Sequence, residues 1–325
     1  MRNDFLKLSI IIVTWNTENF VADCLASVTR DDVGVPHEII VVDNASTDGT
    51  AAAVAQFGGV RFIQNESNEG FAKANNRAIR EAKGEYLLLL NPDTIIPDPA
   101  IFKNWIAFMD RSADVGASGC GLVFPDGSRQ VGDAGFKPGL ITAFNFAFFL
   151  SRVWPRRCKG LFLNGNPGGN ELDVDWICGA DLLVRRSILP VTGLLNEGIF
   201  MYAEDVEWGC RIRSFGYRIC YLPRLKIVHL QGGSADRGVE ERISPVWLEN
   251  LRRLYRTYHG GHTAFLFDVI LAWGYLGRFL LYRLHNLRQG RDMSRRKARM
   301  MGAYAGYLLT HMFRHPADSA FFKKE

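Results

Sequence analysis

The sequence predicts an α/β fold in which a mostly parallel sheet is flanked by helices. Over the first 125 residues, apolar runs of strand length alternate with segments of helical spacing. Strands that alternate with helices of about 10–15 residues indicate βαβ units. Continuously apolar strands are typical of a parallel sheet covered on both faces. With 325 residues, 47% of them hydrophobic, the chain can bury a core of this kind.

The predicted elements follow one another in a regular order. Strands are expected at 8–15, 38–43, 60–65 and 85–93, and helices at 19–28, 50–57 and 70–84, the last of them ending at Gly84. The pattern loosens over 126–172, which indicates a loop, a lid or a partner surface. Regular signals resume at 174–189, a helix is expected over 201–216, and the last two strands are expected at 217–223 and 226–230.

The domain organisation is expected to change near residue 240. Residues 1–240 are predicted to form one α/β domain, with a first half at 1–125 and a second at 126–240, and residues 241–325 to form a helical, basic region. From Glu240 to Glu325 there are 15 Lys and Arg against 7 Asp and Glu, whereas the whole chain carries a net charge of +5. Such a basic tail favours an anionic partner, either membrane headgroups or nucleic acid.

The most apolar stretch lies in this tail, at 264–284. It contains Asp268, Arg278 and Arg283, and its uninterrupted apolar run is about half of the roughly 20 residues that span a bilayer. An interfacial helix beside the basic cluster at 288–299 explains both features better than a spanning helix. The alternative is a C-terminal helix packed on the domain with a solvated basic face.

Several classes of protein are disfavoured by motifs that the sequence lacks. There is no GxGxxG after the first strand and no GxxxxGK[ST], so neither a dinucleotide-binding fold nor a P-loop is supported. The six Cys form no CxxC pair, which argues against a zinc ribbon or a redox motif and favours free thiols in a reducing compartment. The N-terminal segment is too short and polar for a secretory signal.

Polar and acidic side chains follow three of the predicted strands. Thr14 and Asn16 end the first strand, Asp43 ends the second, and Asn91 and Asp93 end the fourth. Ligands of open parallel sheets bind beyond the carboxyl ends of the strands. Hard cations such as Mg²⁺ or Mn²⁺ commonly bridge a carboxylate to substrate phosphates. Asp93 therefore predicts a divalent-cation site for a nucleotide diphosphate. For Asn16, helix capping is an alternative role.

Seven motifs then follow in a specific order. They are VTWN at 13–16, VVDNASTDGT at 41–50, NEGFAKANN at 68–76, LLNPDT at 89–94, GADLLVRRSIL at 179–189, FMYAEDVEWGCRIRSFGY at 200–217 and IVHLQGGS at 227–234. Together they resemble the inverting family 2 glycosyltransferases, whose fold is called GT-A. The second half resembles the branch that includes bacterial rhamnosyltransferases and galactofuranosyltransferases, and the resemblance covers about residues 8–235.

The resemblance implies roles for the matching residues on the donor side. The residues expected to contact or approach the donor nucleotide are Thr14, Asn16, Asp43, Asn68, Gly70, Lys73 and Asn91, with Asn76 nearby. Asp93 and His229 would hold the metal. In the family, the strand-four motif is often two acids that flank one residue. Here Asn91 stands at the first acid position, so the metal would have fewer charged ligands.

The resemblance also implies that Glu204 and Asp205 are the acidic pair that supplies the catalytic base. Inversion requires one in-line displacement, in which an acceptor hydroxyl loses its proton to a carboxylate. Asp205 is the predicted base and Glu204 the alternative, because neighbouring helical residues point about 100° apart. Both acids would also suit the positive end of a helix dipole. The residues expected on the acceptor side are Trp176, Gly179 and Asp181.

The function implied is transfer of a sugar from a nucleotide-diphosphate donor to a saccharide acceptor on a polyprenyl diphosphate. The first candidate donor is dTDP-rhamnose, and UDP-galactofuranose and a UDP-hexose are alternatives. The setting would be surface polysaccharide assembly in bacteria, at the inner face of the cytoplasmic membrane. A nucleotidyltransferase is disfavoured because the segment 15–18 is not a Gly-rich basic loop.

A non-catalytic membrane- or nucleic-acid-binding protein is the alternative from another class. The tail has no recognised nucleic-acid-binding motif and its apolar face favours lipid or packing, so no nucleic-acid partner is expected. A homodimer is left open.

Overall fold

The computed structural model describes residues 6–30, 33–165, 169–230, 245–289 and 292–313. The chain divides into two compact units, and each is described by itself. The first unit comprises Met1–Gly135 and Asn166–Glu240, and the second Phe136–Gly165 and Glu241–Glu325. The proposed division at residue 240 stays a prediction, and the structure adds that Phe136–Gly165 groups with the C-terminal helices.

The strands are β1 (Leu8–Thr14), β2 (His37–Asp43), β3 (Val60–Gln64), β4 (Tyr86–Leu90), β5 (Thr94–Ile95), β6 (Val115–Val123), β7 (Ala134–Gly135), β8 (Leu172–Val174), β9 (Trp176–Ile177), β10 (Asp181–Arg185) and β11 (Arg218–His229). The helices are α1 (Glu18–Val28), α2 (Thr50–Val54), α3 (Phe71–Glu81), α4 (Ala100–Arg111), α5 (Leu140–Ala147), α6 (Leu150–Val153), α7 (Leu189–Thr192), α8 (Glu204–Ser214), α9 (Val246–His259), α10 (Ala264–Gln289) and α11 (Asp292–His311).

Nine of the described strands form one sheet in the first unit. Its order is β3-β2-β1-β4-β10-β6-β11-β5, and β8 also pairs with β11. The four strands from β3 to β4 are parallel to one another. Strand β10 runs antiparallel to both of its neighbours, and β6 and β11 are again parallel. The predicted α/β fold with a mostly parallel, helix-flanked sheet is confirmed.

The core of the first unit follows from the alternation of side chains along β1. Its even-numbered residues, Leu8, Ile10 and Ile12, are fully buried in one cluster with the apolar face of α1. Val21 and Leu25 of that helix stand four residues apart, the spacing that places two side chains on one face. Trp105 of α4 joins the same cluster, and its indole N–H donates to the hydroxyl of Ser118 at 2.8 Å.

The third helix ends earlier than the sequence indicates. It ends at Glu81, and Gly84 serves a close backbone approach rather than a helix terminus. A Cβ atom on Gly84 would lie 2.5 Å from the backbone nitrogen of Ser9 and 2.6 Å from the carbonyl carbon of Leu8. Gly84 is needed because the backbone of β1 occupies the space of a side chain.

The two strands expected at 217–223 and 226–230 are one strand, β11, with an irregular register between Leu222 and Lys226. Pro223 stands within this irregularity. Proline has no N–H to donate to a ladder and is tolerated in a strand only at a bulge or an edge. The sequence pattern shows the interruption but not that the strand continues beyond it.

The second unit is helical and has its own core. Tyr255 of α9, Phe267 and Leu271 of α10, and Leu308 of α11 are buried in one cluster. Within it, a guanidinium nitrogen of Arg252 lies 2.9 Å from a carboxylate oxygen of Asp268, and both side chains are almost fully buried. A buried charge is tolerated only when it is paired, so this ion pair fixes α9 against α10.

By length and composition, one described helix could cross a membrane. It covers Ala264–His285 with a mean hydropathy of 1.6, and 39% of its most apolar window is buried within the structure. Core helices of soluble proteins have the same composition, so this property alone leaves packing and membrane contact equally open.

We expect Gly84→Ala to lower the free energy of unfolding by about 1–3 kcal/mol, because two backbone atoms of β1 must move. The matched control is Gly58→Ala. A Cβ atom there meets nothing within 4 Å, so its effect should stay within about 1 kcal/mol of zero. Urea denaturation measures both. Equal stability of the two variants would contradict the close approach.

Candidate active site

The carboxyl ends of β1 and β2 meet at Asp43, which is fully buried. The hydroxyl of Thr14 donates to its Oδ1 at 2.8 Å. The backbone N–H of Ser46 donates to Oδ2 at 2.9 Å, and the Ser46 hydroxyl donates to Oδ1 at 2.5 Å. The structure therefore brings Thr14 and Asp43 together as expected. The Thr14 hydroxyl is turned inward, where it orients the carboxylate.

Asn16 links the same two strand ends at the surface. It adopts a positive φ of 51°, which non-glycine residues rarely do except for Asn and Asp. Its side-chain oxygen accepts a hydrogen bond from the backbone N–H of Thr47 at 2.9 Å, and its own N–H donates to Ser46. Asn16 does not cap α1 with its side chain. It ties the loop after β1 to the loop after β2.

The turn before α3 is held by Asn68 and Gly70. The Asn68 side-chain oxygen accepts the Gly70 N–H at 3.0 Å, and Gly70 has a φ of 85°. The following N–H, of Phe71, donates to the Phe200 carbonyl at 2.9 Å. A Cβ atom on Gly70 would lie 2.4 Å from that same carbonyl oxygen. The turn is therefore packed against the segment that precedes α8.

Two side chains of α3 expected near the nucleotide are engaged with other protein groups. Lys73 forms an ion pair with Glu69 at 2.5 Å. Asn76 is buried, where it donates to the Leu195 carbonyl at 2.8 Å and accepts the Leu195 N–H at 3.1 Å. Asn76 therefore positions the loop after α7, and its amide is committed to that loop.

A buried pair of amides completes this edge of the sheet. Asn65 follows β3, and its amide nitrogen donates to the Asn44 side-chain oxygen at 2.7 Å. The Asn44 amide in turn donates to the Gly70 carbonyl at 3.2 Å. These two residues were not singled out from the sequence. Their position directly after a strand is the signal that identified Asp43, and it could have identified them as well.

Asp93 and His229 lie side by side at the other part of the edge. A carboxylate oxygen of Asp93 is 3.2 Å from Nε2 of His229, and both side chains are largely buried. Strand pairing produces this contact, because β5 pairs with the end of β11 so that Thr94 stands opposite His229. Asn91 lies nearby in sequence, and its carbonyl accepts the Thr94 hydroxyl at 2.7 Å.

Gln130 sets the orientation of the histidine ring. Its amide nitrogen donates to the His229 backbone carbonyl, so its amide oxygen faces Nδ1 of the ring at 2.9 Å. An amide oxygen only accepts, so Nδ1 carries the hydrogen. A neutral His229 then points the lone pair of Nε2 at the Asp93 carboxylate. These two acceptors can face each other only across a proton or a cation.

Gln130 could not be identified from the sequence. It lies in the stretch after Pro125 where no periodic signal exists, and 99 residues separate it from the histidine that it orients. The neighbouring Arg129 is paired with buried Asp133 at 2.7 Å, and the Tyr221 hydroxyl donates to the same carboxylate at 2.5 Å. These bonds hold the segment in place.

The donor set of Asp93 and His229 fits a small hard cation that completes its shell with substrate. Mg²⁺ and related ions are often held by only one or two protein carboxylates together with substrate phosphates. Among the described residues, no group of three or more His, Cys, Asp or Glu is arranged so that it could hold a metal ion by itself. That Asn91 leaves the metal with fewer charged ligands stays a prediction.

Glu204 and Asp205 begin α8 after a strained turn. Tyr202 and Ala203, the two residues before them, have φ values of 68° and 72°. Each non-glycine residue in this region costs roughly 1–3 kcal/mol and persists only where the surroundings enforce it. These two backbone conformations set the direction in which the side chains of Glu204 and Asp205 project from the start of α8.

The two acids differ in their hydrogen bonds. Asp205 accepts the Gly179 N–H at 3.0 Å on one oxygen and the Val206 N–H at 2.7 Å on the other. In the described structure, Oε2 of Glu204 is buried and has no hydrogen-bond partner. Burial raises the pKa of Glu204 well above its usual value, and the Asp205 charge raises it further.

Burial also raises the pKa of Asp205, although the two backbone N–H groups oppose this by favouring its charged form. Since these N–H groups favour the charged form of Asp205 and its charge raises the pKa of Glu204, we expect Asp205 to be the first of the pair to ionise.

The side chains expected on the acceptor side are mostly inside the protein. Trp176 is almost fully buried, and Asp181 has no exposed surface, since it lies in β10 and accepts the Cys120 N–H at 2.7 Å. Neither side chain can present a surface to a ligand, because both pack in the interior. Gly179 is the one of the three beside the acidic pair, through its N–H to Asp205.

Comparison with known proteins identifies the family. Residues 9–154 match the family model Glycosyl transferase family 2. The N-acetylglucosaminyl-diphospho-decaprenol L-rhamnosyltransferase of Mycobacterium tuberculosis is 30% identical over 247 residues, which are 71% of this chain and 78% of that protein. The chain belongs to glycosyltransferase family 2. It is an enzyme, and the single displacement with inversion fits this family.

Two further relatives agree with this assignment. This glycosyltransferase is 25% identical to the rhamnosyltransferase WbbL of Escherichia coli K12 over 228 residues, 68% of this chain and 82% of that protein. The mannosyltransferase PcManGT from Pyrobaculum calidifontis, solved in complex with GDP-Man and Mn²⁺, superimposes with a TM-score of 0.60. The superposition covers 95% of this chain and 88% of the mannosyltransferase at 17% sequence identity, which shows that the two share a fold. The GT-A fold and the resemblance to rhamnosyltransferases are confirmed.

We expect Gly70→Ala to lower the free energy of unfolding by about 2–4 kcal/mol, because it adds a collision with the Phe200 carbonyl to the cost of a positive φ. Gly59→Ala isolates the second cost. Gly59 has a φ of 77° with nothing within 4 Å of its Cβ position, so about 1 kcal/mol is expected. Thermal or urea unfolding compares them. Similar losses would show that Gly70 is needed for its φ alone.

Proposed function

We propose that this glycosyltransferase transfers a deoxyhexosyl group, with dTDP-rhamnose as the first candidate donor, to a saccharide carried on a polyprenyl diphosphate. The relatives from M. tuberculosis and E. coli are named as rhamnosyltransferases, which supports the sugar, and the diphospho-decaprenol in the name of the former supports the acceptor. UDP-galactofuranose and a UDP-hexose are the alternative donors. The reaction would serve the assembly of a bacterial surface polysaccharide.

The observation that carries the proposal is the acidic pair at the start of α8. Each oxygen of the Asp205 carboxylate accepts one backbone N–H, which leaves a further lone pair on each. One of these would take the proton of the acceptor hydroxyl as that oxygen attacks the anomeric carbon. The bond from this carbon to the nucleoside diphosphate breaks in the same step, and the configuration inverts.

The leaving diphosphate gains negative charge, and Asp93 and His229 would hold the divalent cation that neutralises it. The arrangement supports this role because Gln130 fixes the hydrogen on Nδ1, so the lone pair of Nε2 faces the Asp93 carboxylate, where both could bind one cation. The base and ribose would bind at the neighbouring strand ends, which the buried pair of Asp43 and Thr14 holds in place.

The enzyme is proposed to work at the inner face of the cytoplasmic membrane, where a lipid-linked acceptor would be found. The composition of α10 and the basic residues that follow it support a peripheral contact through the C-terminal region. The ion pair of Asp268 with Arg252 favours a packed, interfacial helix over an isolated spanning one.

The test of function is a donor screen with dTDP-, UDP- and GDP-sugars and a membrane-lipid extract as acceptor, followed through release of nucleoside diphosphate. We expect Asp205→Asn to lower kcat by about 10²–10⁴-fold, the usual contribution of a general base. Glu204→Gln is the matched control. Glutamine resembles the protonated acid, so activity should stay within about tenfold of the parent.

The pH profile gives a second readout of the same assignment. The base must be deprotonated, so kcat/KM falls as the pH falls through the pKa of Asp205. Because burial raises this pKa, the fall should begin above the ordinary carboxyl range near pH 4. A profile that is flat down to that range, or a Glu204→Gln variant less active than Asp205→Asn, would contradict the assignment.

For the cation, we expect Asp93→Asn and His229→Gln each to weaken Mn²⁺ binding by at least about tenfold in the presence of dTDP, since each removes a ligand. Titration calorimetry measures this without turnover. Glu66→Gln removes an exposed acid elsewhere in the first unit and should bind as the parent does. Unchanged Mn²⁺ affinity in both site variants would disprove the cation site while leaving the base assignment intact.

A further inference from the structure

Positive charge is concentrated in the second unit. Residues 136–165 and 241–325 contain 20 Lys and Arg against 6 Asp and Glu, whereas the rest of the chain contains 19 against 28. The difference in charge therefore follows the boundary between the two compact units and not the midpoint of the sequence. An anionic partner would therefore be attracted to the second unit and repelled by the first.

The internal segment Phe136–Gly165 is the extreme case. Its thirty residues contain five Lys and Arg, no Asp or Glu, and seven aromatic residues. Its helices α5 and α6 belong to the second unit and contribute nothing to the sheet that carries the catalytic residues. The basic and aromatic composition of this segment is therefore not explained by the sugar-transfer reaction.

Helix α5 has a buried face and an exposed apolar face. The buried face packs on α10, where a Cβ atom on Gly274 would lie 2.7 Å from Cα of Ala147. On the exposed face, Ile141, Phe144 and Phe148 are between 45% and 77% exposed, and the two phenylalanine rings lie 4.5 Å apart. Their spacing of three and four residues aligns them along one side of the helix.

Exposed basic and apolar side chains lie next to one another from α6 onward. Arg152, Val153, Trp154, Arg156 and Arg157 are all exposed. Arginine beside tryptophan is the composition found where a protein meets the headgroup layer of a membrane, since the ring lies at the boundary and the guanidinium meets phosphate. The segment offers both parts of that contact within six residues.

Helix α10 adds a longer apolar stripe. Leu266, Trp273, Leu280 and Leu284 are all exposed, and helical geometry places them within about 40° of one another over roughly 27 Å. The opposite side of the helix is buried with α9 and α11 through Phe267 and Leu271. A helix packed on one side and apolar on the other is suited to lie along a membrane surface.

We propose that α5, α6 and the exposed stripe of α10 dock the enzyme on an anionic phospholipid bilayer. The aromatic side chains enter the boundary of the headgroups, and Arg156 and Arg157 contact lipid phosphates. A nucleic acid would use the charge but not the apolar stripes. A second copy of the chain would bring two strongly basic surfaces together, which their repulsion disfavours.

This proposal rests on the proposed function only because the lipid-linked acceptor of that function brings the enzyme to a membrane. Binding to the bilayer itself needs no substrate. The test uses the full chain and sedimentation with vesicles of equal parts phosphatidylcholine and phosphatidylglycerol, with pure phosphatidylcholine vesicles for comparison. Two variants remove one part of the contact each: Ile141→Ser with Phe144→Ser and Phe148→Ser, and Arg156→Glu with Arg157→Glu.

We expect each variant to bind the mixed vesicles at least about tenfold more weakly, because one basic residue near such a surface contributes about fivefold. The matched controls carry equivalent changes on the first unit, Val191→Ser with Phe215→Ser and Phe62→Ser, and Lys103→Glu with Lys226→Glu. All five residues are exposed there, so these variants should bind as the parent does.

The outcomes separate the alternatives. Parent protein that stays in solution with mixed vesicles, or α5 and arginine variants that bind as the parent does, would overturn the proposal. Two further results would overturn it. One is a dimer, detected by light scattering, that the same variants disrupt. The other is binding to RNA that is as strong as binding to the vesicles and is not competed by them. Transfer to a short-chain, water-soluble prenyl acceptor should be unchanged in the variants, which distinguishes failed docking from failure of the proposed reaction.

Discussion

The parallel register of β1 between β2 and β4 is the constraint on which the rest of the structure depends. It sets Thr14 opposite Asp43 and Ile12 opposite Leu90, so that the three chain segments that follow leave the sheet at one edge. A shift of one residue would turn every side chain of a strand to the other face, and Thr14 would no longer reach Asp43. The two faces of β1 differ in their contacts, because Ile10 and Ile12 pack in the core cluster with α1 whereas the buried Ser9 hydroxyl donates to Glu38, so that shift would break both sets of contacts.

The elements and one edge of the site could be predicted because their signals are local. Apolar runs and helical spacing define the strands and helices, and polar residues directly after strands mark the ligand edge, as at Asp43 and Asp93. The orientation of His229 by Gln130 could not be predicted, since a single contact between distant residues leaves no periodic trace. The burial of Asp181 could not be predicted for a related reason. Burial is decided by which strand lies on either side, and β10 is inserted between β4 and β6 out of chain order.

The acidic groups around the start of α8 share one electrostatic environment. Burial raises the pKa of Asp181, Glu204 and Asp205, and that of Asp133 despite its ion pair with Arg129. A low-dielectric region of this kind strengthens every interaction with the charge that remains. Two backbone N–H groups, one of them from Gly179, favour the charged form of Asp205, whereas the Asp205 charge raises the pKa of Glu204 further. The two neighbouring acids are therefore placed in unequal electrostatic environments.

The second unit is discontinuous in sequence, which has a consequence for how the enzyme is made. During synthesis, Phe136–Gly165 leaves the ribosome before the helices that cover it exist, with Arg278 of α10 still to come to rest on the rings of Phe146 and Phe149 at 4.1 and 4.2 Å. The sheet can form once β11 has emerged, whereas the helices that cover this aromatic segment have not yet been synthesised. A nascent chain at that stage is a natural client for a chaperone or for the membrane itself. A gene shortened after β11 would produce the same incomplete state permanently.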